Sequence, residues 1–157
     1  MTAPGNRRSS RVPAPGGVDA DGIATLDDAT CIRLIRQEHV GRLGLSVRGL
    51  PVVLPVNYVL DGRTIVFRSE FGDKTRAAEL AVVACVGVDQ FDHFAHSGWT
   101  VLATGRLALV SARRSAEYDR LPLAAWALRG ETQFIEMPIE LLSGRVAATR
   151  AISDTIG

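Results

Sequence analysis

PVVLPVNYVLDGRTIVFRSEFGDKTRAA, from Pro51 to Ala78, is the stretch that decides the fold. Val52, Leu54, Val56, Tyr58 and Leu60 recur at period two, the mark of a strand with one buried face. Asp61-Gly62 is a hairpin signal, and RTIVFRS beyond it reads as the returning strand. The pattern breaks at Gly72 and resumes as a short helix over about 72–80. Upstream, VGRLGLSV (40–47) supplies Val40, Leu43, Leu45 and Val47, and RGL turns it into the next strand. Three strands therefore meander before this helix.

Outward from the meander, LDDATCIRLIRQEH reads as an amphipathic helix capped by Asp27 or Asp28, with Ile32, Leu34 and Ile35 on its apolar face. His39 at its end suits the negative pole of the helix dipole. AVVACVGV (81–88) reads as a strand buried on both faces, with Cys85 a small buried hydrophobe. DQFDHFAHSG is a polar loop, and WTVLATGRLALV a long strand in which Gly105 marks a bend or bulge. SARRSAEYDRL reads as a helix with Ser111 as its cap, and PLAAWALRGE as helix or loop. Tyr118 and Trp126 are packing residues. TQFIEMPIELLSGRVA closes the chain as an edge or bulged strand, because Pro138 cannot donate to a ladder. Antiparallel strands dominate, and a closed or partly closed barrel leaves few of their edges exposed.

The 157 residues suit one domain, and 46% apolar residues suffice for a core. A net charge of +1 argues against nucleic-acid binding, which needs a basic face. Cys31 and Cys85 form no CxxC pair, so neither a disulfide framework nor a zinc knuckle is indicated. No apolar run reaches about 18 residues, so no membrane span is expected. The N-terminus lacks an apolar signal core, which reads as a cytoplasmic protein. Residues 1–24, rich in Pro, Gly, Ser and Arg, read as a disordered tail, leaving 25–157 as the folded domain.

Arg68, Ser69, Lys74, Thr75 and Arg76 gather around the corner at Gly72. First-turn amides lack partners within a helix and attract anions, and an arginine can fork two hydrogen bonds onto a phosphate. The corner reads either as a phosphate site or as a helix start where Asp73 or Glu70 pairs with Arg76 and Lys74. No GxxxxGK loop is present, and no GxGxxG follows a strand.

Three segments in order resemble the pyridoxamine 5'-phosphate oxidase-like family of flavin-binding split barrels, with the closest look to small actinobacterial and nitroimidazole-resistance-type members. They are EHVGRLGLSVRGLPVVLPVNYVLDGRTIVFRSEFGDKTRAAEL, SGWTVLATGRLALV and LLSGRV, within Leu26 to Arg145. The resemblance implies a mainly β fold, a six-stranded antiparallel split β-barrel with a few short helices. It further implies a homodimer holding flavin mononucleotide (FMN) between its subunits. The ring would lie beside Pro55, Val56, Asn57 and Tyr58. The phosphate would lie at Arg68, Ser69, Lys74 and Thr75, with Trp99 and Thr100 near the cofactor or the dimer seam.

The implied activity is an FMN-dependent oxidoreductase acting on a small organic molecule, with no catalytic side chain identified. A deazaflavin-dependent reductase is the alternative, its anionic tail reaching Arg42, Arg48 and Arg106, as is a flavin-binding sensor or accessory dimer without turnover. Nitroimidazole-resistance-type members often carry a histidine where this chain has Arg68, which counts against that nitroreductase activity. The further basic residues that hold the substrate phosphate in true pyridoxamine phosphate oxidases are missing, so vitamin B6 synthesis is not expected. Some relatives of this fold bind haem, for which His93 or His96 would be axial. As a metal site that pair lacks a fixed third ligand, and no metal is expected. Ser46, Ser69 and Ser97 show no nucleophile elbow.

Overall fold

A computed structural model describes residues 23–123 and 130–147. The tail up to position 22 and Trp126 lie outside the described residues. Ile23 and Ala24, expected in the tail, instead begin a strand.

In chain order the elements are β1 (Ile23–Leu26), α1 (Asp28–Gln37), β2 (Val40–Val47), β3 (Leu50–Asp61), β4 (Thr64–Glu70), α2 (Asp73–Glu79), β5 (Val83–Asp92), β6 (Ser97–Arg106), β7 (Ala108–Leu109), α3 (Ala112–Tyr118), β8 (Thr132–Pro138) and β9 (Leu141–Ala147). Among the described residues the strands form one antiparallel sheet in the order β1-β9-β6-β5-β2-β3-β4-β8-β7, nine segments where six were expected. It is an antiparallel split β-barrel. Strand β3 forms one corner: Leu50–Asn57 pairs with β2, and Tyr58–Asp61 pairs with β4. At the opposite corner the chain crosses sheets between β6 and β7 and between β8 and β9, where Glu140 N donates to Thr104 O at 2.9 Å.

The meander matches its sequence pattern. Arg48 (φ 51) and Gly49 (φ 80) form the two-residue turn between β2 and β3, where both positions take positive φ. Val56 and Tyr58 face a core with Leu43, Ile65, Phe67, Val86, Val101, Ile135 and Met137. Asp27 caps α1 by accepting from Thr30 N at 2.7 Å. His39 lies beyond the helix and is exposed; its carbonyl accepts from Tyr58 N at 2.9 Å. A second, smaller cluster of Val66, Tyr118 and Phe134 packs under α3.

Four expectations change. The loop expected at 89–98 shrinks to His93–His96, because the ladder continues to Asp92↔Ser97. Asp92 closes that turn by accepting from Phe94 N and Ala95 N, each at 2.9 Å. The last strand is two: Pro138 ends β8, and Ile139 N turns to Arg63 O at 2.9 Å. The long strand from Trp99 likewise divides after Arg106. A Cβ at Gly105 would stand 2.0 Å from the Pro138 carbonyl oxygen, so only glycine lets the two crossings approach. Strand β5 is buried on one face only, and Cys85 is half-buried on the other.

Candidate functional site

Successive side chains of a strand face opposite sides, and this divides the corner at Gly72. On β4, Phe67 and Ser69 face the barrel interior, whereas Val66 and Arg68 face α3. The Arg68 guanidinium lies 4.4 Å from the centre of the Phe134 ring and pairs with Asp119. Arg68 thereby lies on the opposite face of β4 from Ser69.

Ser69 is buried, and its hydroxyl donates to the Glu70 carbonyl at 2.9 Å. Directly across the ladder stands Gln133 of β8, whose Oε1 is buried with no hydrogen-bond partner. Thr75 is committed to the helix start. Its hydroxyl accepts from Gly72 N at 2.9 Å and donates to Gly72 O at 2.8 Å. Glycine has no side chain to return the bond, so this is one arm of a capping box. Lys74 is half-buried and belongs to no ion pair among the described residues. Among the described residues Asp73 likewise forms no ion pair with Lys74 or Arg76; a Glu70 carboxylate oxygen accepts from Gly130 N at 3.1 Å. At the corner Ser69 and Gln133 thus face each other across the ladder, and Lys74 follows in the first turn of α2. Gln133 was missed in the sequence because only the β4–β8 register places it opposite Ser69.

Beside the corner, the first half of β3 is paired on one side only. Backbone groups of alternate residues point to alternate edges. Tyr58 N is bonded toward His39, on the β2 side, so Leu54 and Val56 also turn to β2. Pro51, Val53 and Pro55 turn to the open edge, where the missing N–H of proline costs no ladder bond. Of the residues expected along the ring, Pro55 is exposed, Asn57 half-buried, and Val56 and Tyr58 buried. The Tyr58 hydroxyl donates to the Ile35 carbonyl at 2.6 Å. Burial, reinforced by the Glu38 carboxylate, pushes its pKa well above the usual phenol value, so it is a fixed donor that ties α1 to β3. Trp99 is buried in the core, and its neighbour Thr100 is exposed on the outer sheet face.

Exposed apolar side chains collect on that outer face, among polar ones. Registers align Val53, Gly44, Cys85, Thr104 and Leu141 in one row, and Pro55, Arg42, Gly87, Leu102 and Ser143 in the next. Val53 is 66% exposed, Leu102 44% and Leu141 70%, and Val40, Val83 and Phe91 are exposed on the same side. Arg42 pairs with Asp89 across this face. At the β5–β6 turn, His93 and His96 are exposed. Among the described residues no three His, Cys, Asp or Glu side chains converge on one point, and no helix is long and apolar enough to cross a membrane.

The chain belongs to the pyridoxamine 5'-phosphate oxidase family, whose model matches residues 27–146. It is 30% identical over 149 residues to an uncharacterized protein of Mycobacterium tuberculosis, covering 90% of this chain and 93% of that one. Among solved structures, an FAD-binding protein from Mesorhizobium loti is similar, with a TM-score of 0.72 and 23% identity over 80% of this chain and 99% of that one. An FAD-binding protein from Mycobacterium smegmatis superposes with a TM-score of 0.67 and 23% identity, covering 81% and 100%. At these identities the two structures share the fold.

Proposed function

We propose that this protein is a homodimeric flavin-binding oxidoreductase that carries hydride or electrons to a small organic acceptor, with FMN as the form of flavin its corner is built to hold. The observation that carries the reading is the polar corner of Ser69, Lys74 and Gln133 at the end of the open edge of β3. The buried Oε1 of Gln133 is an acceptor awaiting a donor, and a ribityl hydroxyl of the flavin is such a donor. Lys74 supplies a cation for the phosphate, and the Ser69 hydroxyl has acceptor capacity to spare. Val53 offers backbone groups to the polar rim of the ring. The residues present therefore fit the cofactor. That relatives of the same fold are named FAD-binding proteins supports the choice of a flavin.

A bound flavin supplies the redox chemistry, and the protein binds, orients and tunes it. Here β3 would hold the ring against a rigid strand, while the buried Ser69 and Gln133 fix the ribityl chain and Lys74 neutralises phosphate charge. The outer apolar face supports the dimer. Six large exposed hydrophobics on one side of one sheet form the kind of patch that marks an association surface. A two-fold pairing of this face would cover it and bring Thr100 to the seam.

The test is the visible spectrum of the purified protein, with mass analysis of what heat releases. Flavin bands and a released flavin of FMN mass are expected. A colourless protein that also takes up no added FMN, FAD or deazaflavin overturns the reading. Uptake of deazaflavin alone replaces it with the deazaflavin-dependent reductase. Flavin bound without turnover of reduced nicotinamide cofactors or of added electron acceptors leaves the sensor or accessory dimer.

A further inference from the structure

Among the described residues β2 pairs with β5 only as far as Gly87, and β9 pairs with β6 only from Gly98 onward. The arm of the β5–β6 hairpin from Phe91 to Ser97 therefore projects past the strands on either side. Its turn is built: the Asp92 carboxylate accepts from both Phe94 N and Ala95 N. That turn presents Phe94 98% exposed, with Phe91 behind it on the outer face. A scattered exposed apolar side chain is ordinary. A phenyl ring at the tip of a projecting arm, continuous with the exposed apolar side chains of the outer face, has the shape of an anchor residue.

The same chain carries a matching hole. At the other end of β5 a cleft of about 180 Å³ opens between α2 and the β2–β3 hairpin. Val47, Leu80 and Val82 give it apolar walls, and Arg48, Arg76 and Asp73 give it a net positive charge. An apolar cavity of about 150 Å³ holds one benzene ring, so this cleft is sized for one aromatic side chain. The two guanidinium groups are exposed, and neither belongs to an ion pair among the described residues. A guanidinium is attracted to the face of a phenyl ring. Asp92 is the arm's one carboxylate, and the arm holds no lysine or arginine, so ring and charge both complement the cleft.

Within one copy the two cannot meet, because the ten residues of β5, about 33 Å of strand, stand between them. Between two copies they can. Midway between Val82 at the cleft and Phe94 at the tip is Val88, whose ladder partner Val101 adjoins Thr100. A two-fold axis passing there, between two facing sheets and at right angles to their strands, runs the two β5 strands antiparallel across the seam. It brings each tip to the other copy's cleft and Thr100 to the centre, and the contact forms twice by symmetry. We propose that Phe94 of each copy seats in the α2 cleft of the other, as the anchor that fixes the geometry of the dimer. The proposal rests on the two-fold pairing of the outer face given above. Because α2 carries Lys74 in its first turn, the ring of the second copy also braces the helix that presents this cation to the flavin.

The test uses the full-length protein in two measurements. Sedimentation over a concentration series gives the dimer dissociation constant of wild type and of Phe94→Ala. Residue 94 is exposed at a turn, so this change leaves the fold intact, and a weakening of at least tenfold is expected. Cross-linking then asks what Phe94 touches. In a Cys85→Ala background the sole remaining native thiol is the buried Cys31. Phe94→Cys and Leu80→Cys are made there singly and together, and treated with a bismaleimide shorter than the length of β5, so that no bridge forms within one copy. A covalent dimer from the combined variant, with none from either single variant, is the expected result. Cross-linking through Phe94→Cys alone would show tip meeting tip and overturn the proposal. So would a dimeric combined variant that does not cross-link, or a Phe94→Ala dissociation constant equal to wild type; each of these leaves the two-fold pairing itself standing. A wild-type protein that stays monomeric at every concentration overturns the pairing and the anchor together.

Discussion

Arg68 and Ser69 are adjacent in the chain, yet the pleat sends them to opposite sides of β4. Arg68 holds α3 through Asp119 and the Phe134 ring, so its loss is predicted to show in stability. Arg68→Ala should cost about 1 kcal/mol in urea unfolding, given a half-exposed ion pair and one cation–π contact, and leave flavin affinity unchanged. Lys74→Ala should do the reverse, weakening flavin about tenfold in a fluorescence titration with the urea midpoint unmoved, as expected for losing one charge-assisted contact. A drop in flavin affinity confined to Arg68→Ala would return the phosphate to the α3 side. Tyr58→Phe strands the buried Ile35 carbonyl and should cost about 1–2 kcal/mol, read by the same unfolding measurement.

Among the elements, the crossing of β6 over the end of β8 has no slack. Gly105→Ala places a methyl 2.0 Å from a backbone carbonyl that cannot rotate away. A loss of about 2–3 kcal/mol in thermal or urea unfolding is predicted; an unchanged midpoint would mean the crossing is looser than its geometry. Asp27 at α1 and Asp92 at the β5–β6 turn act through charge. Bonds from backbone N–H groups, of Thr30 at Asp27 and of Ala95 and Phe94 at Asp92, hold both carboxyls below their ordinary value of 3.8. A depressed folded pKa contributes stability that is present above the unfolded value and lost as pH falls through the folded one. Stability should therefore decline below about pH 4, and Asp27→Asn/Asp92→Asn should flatten that decline in unfolding midpoints taken between pH 5 and pH 2. An acid limb identical to wild type would exclude these two carboxylates as its source.

For the whole molecule, the decisive feature is the uncovered sheet face. A charge at its centre should prevent two copies from meeting. Val53→Asp/Leu102→Asp is predicted to run as a folded monomer in analytical ultracentrifugation, where wild type is predicted to sediment as a dimer, and to hold flavin at least tenfold more weakly. A monomeric wild-type protein would remove the two-fold partner from the proposed function, and a dimeric double variant would move the interface elsewhere.

The sequence by itself determined the meander. Period-two apolar residues from Val52 to Leu60, the Asp61-Gly62 signal and the Asp27 cap act within a few residues of themselves, and local physics suffices to read them. Family membership was legible for the same reason, in segments kept in order along the chain. The tertiary structure alone decided which residues meet. Gln133 reaches Ser69 through a strand register set more than sixty positions away. The β8–β9 break at Ile139 and the need for glycine at 105 come from two crossings that touch only when the barrel closes. Strand β5 reads as buried on both faces because its outward side is apolar too, and composition does not say what covers that side. The cleft beside α2 is set by the packing of a helix against a distant hairpin, whose contacts no window of sequence contains.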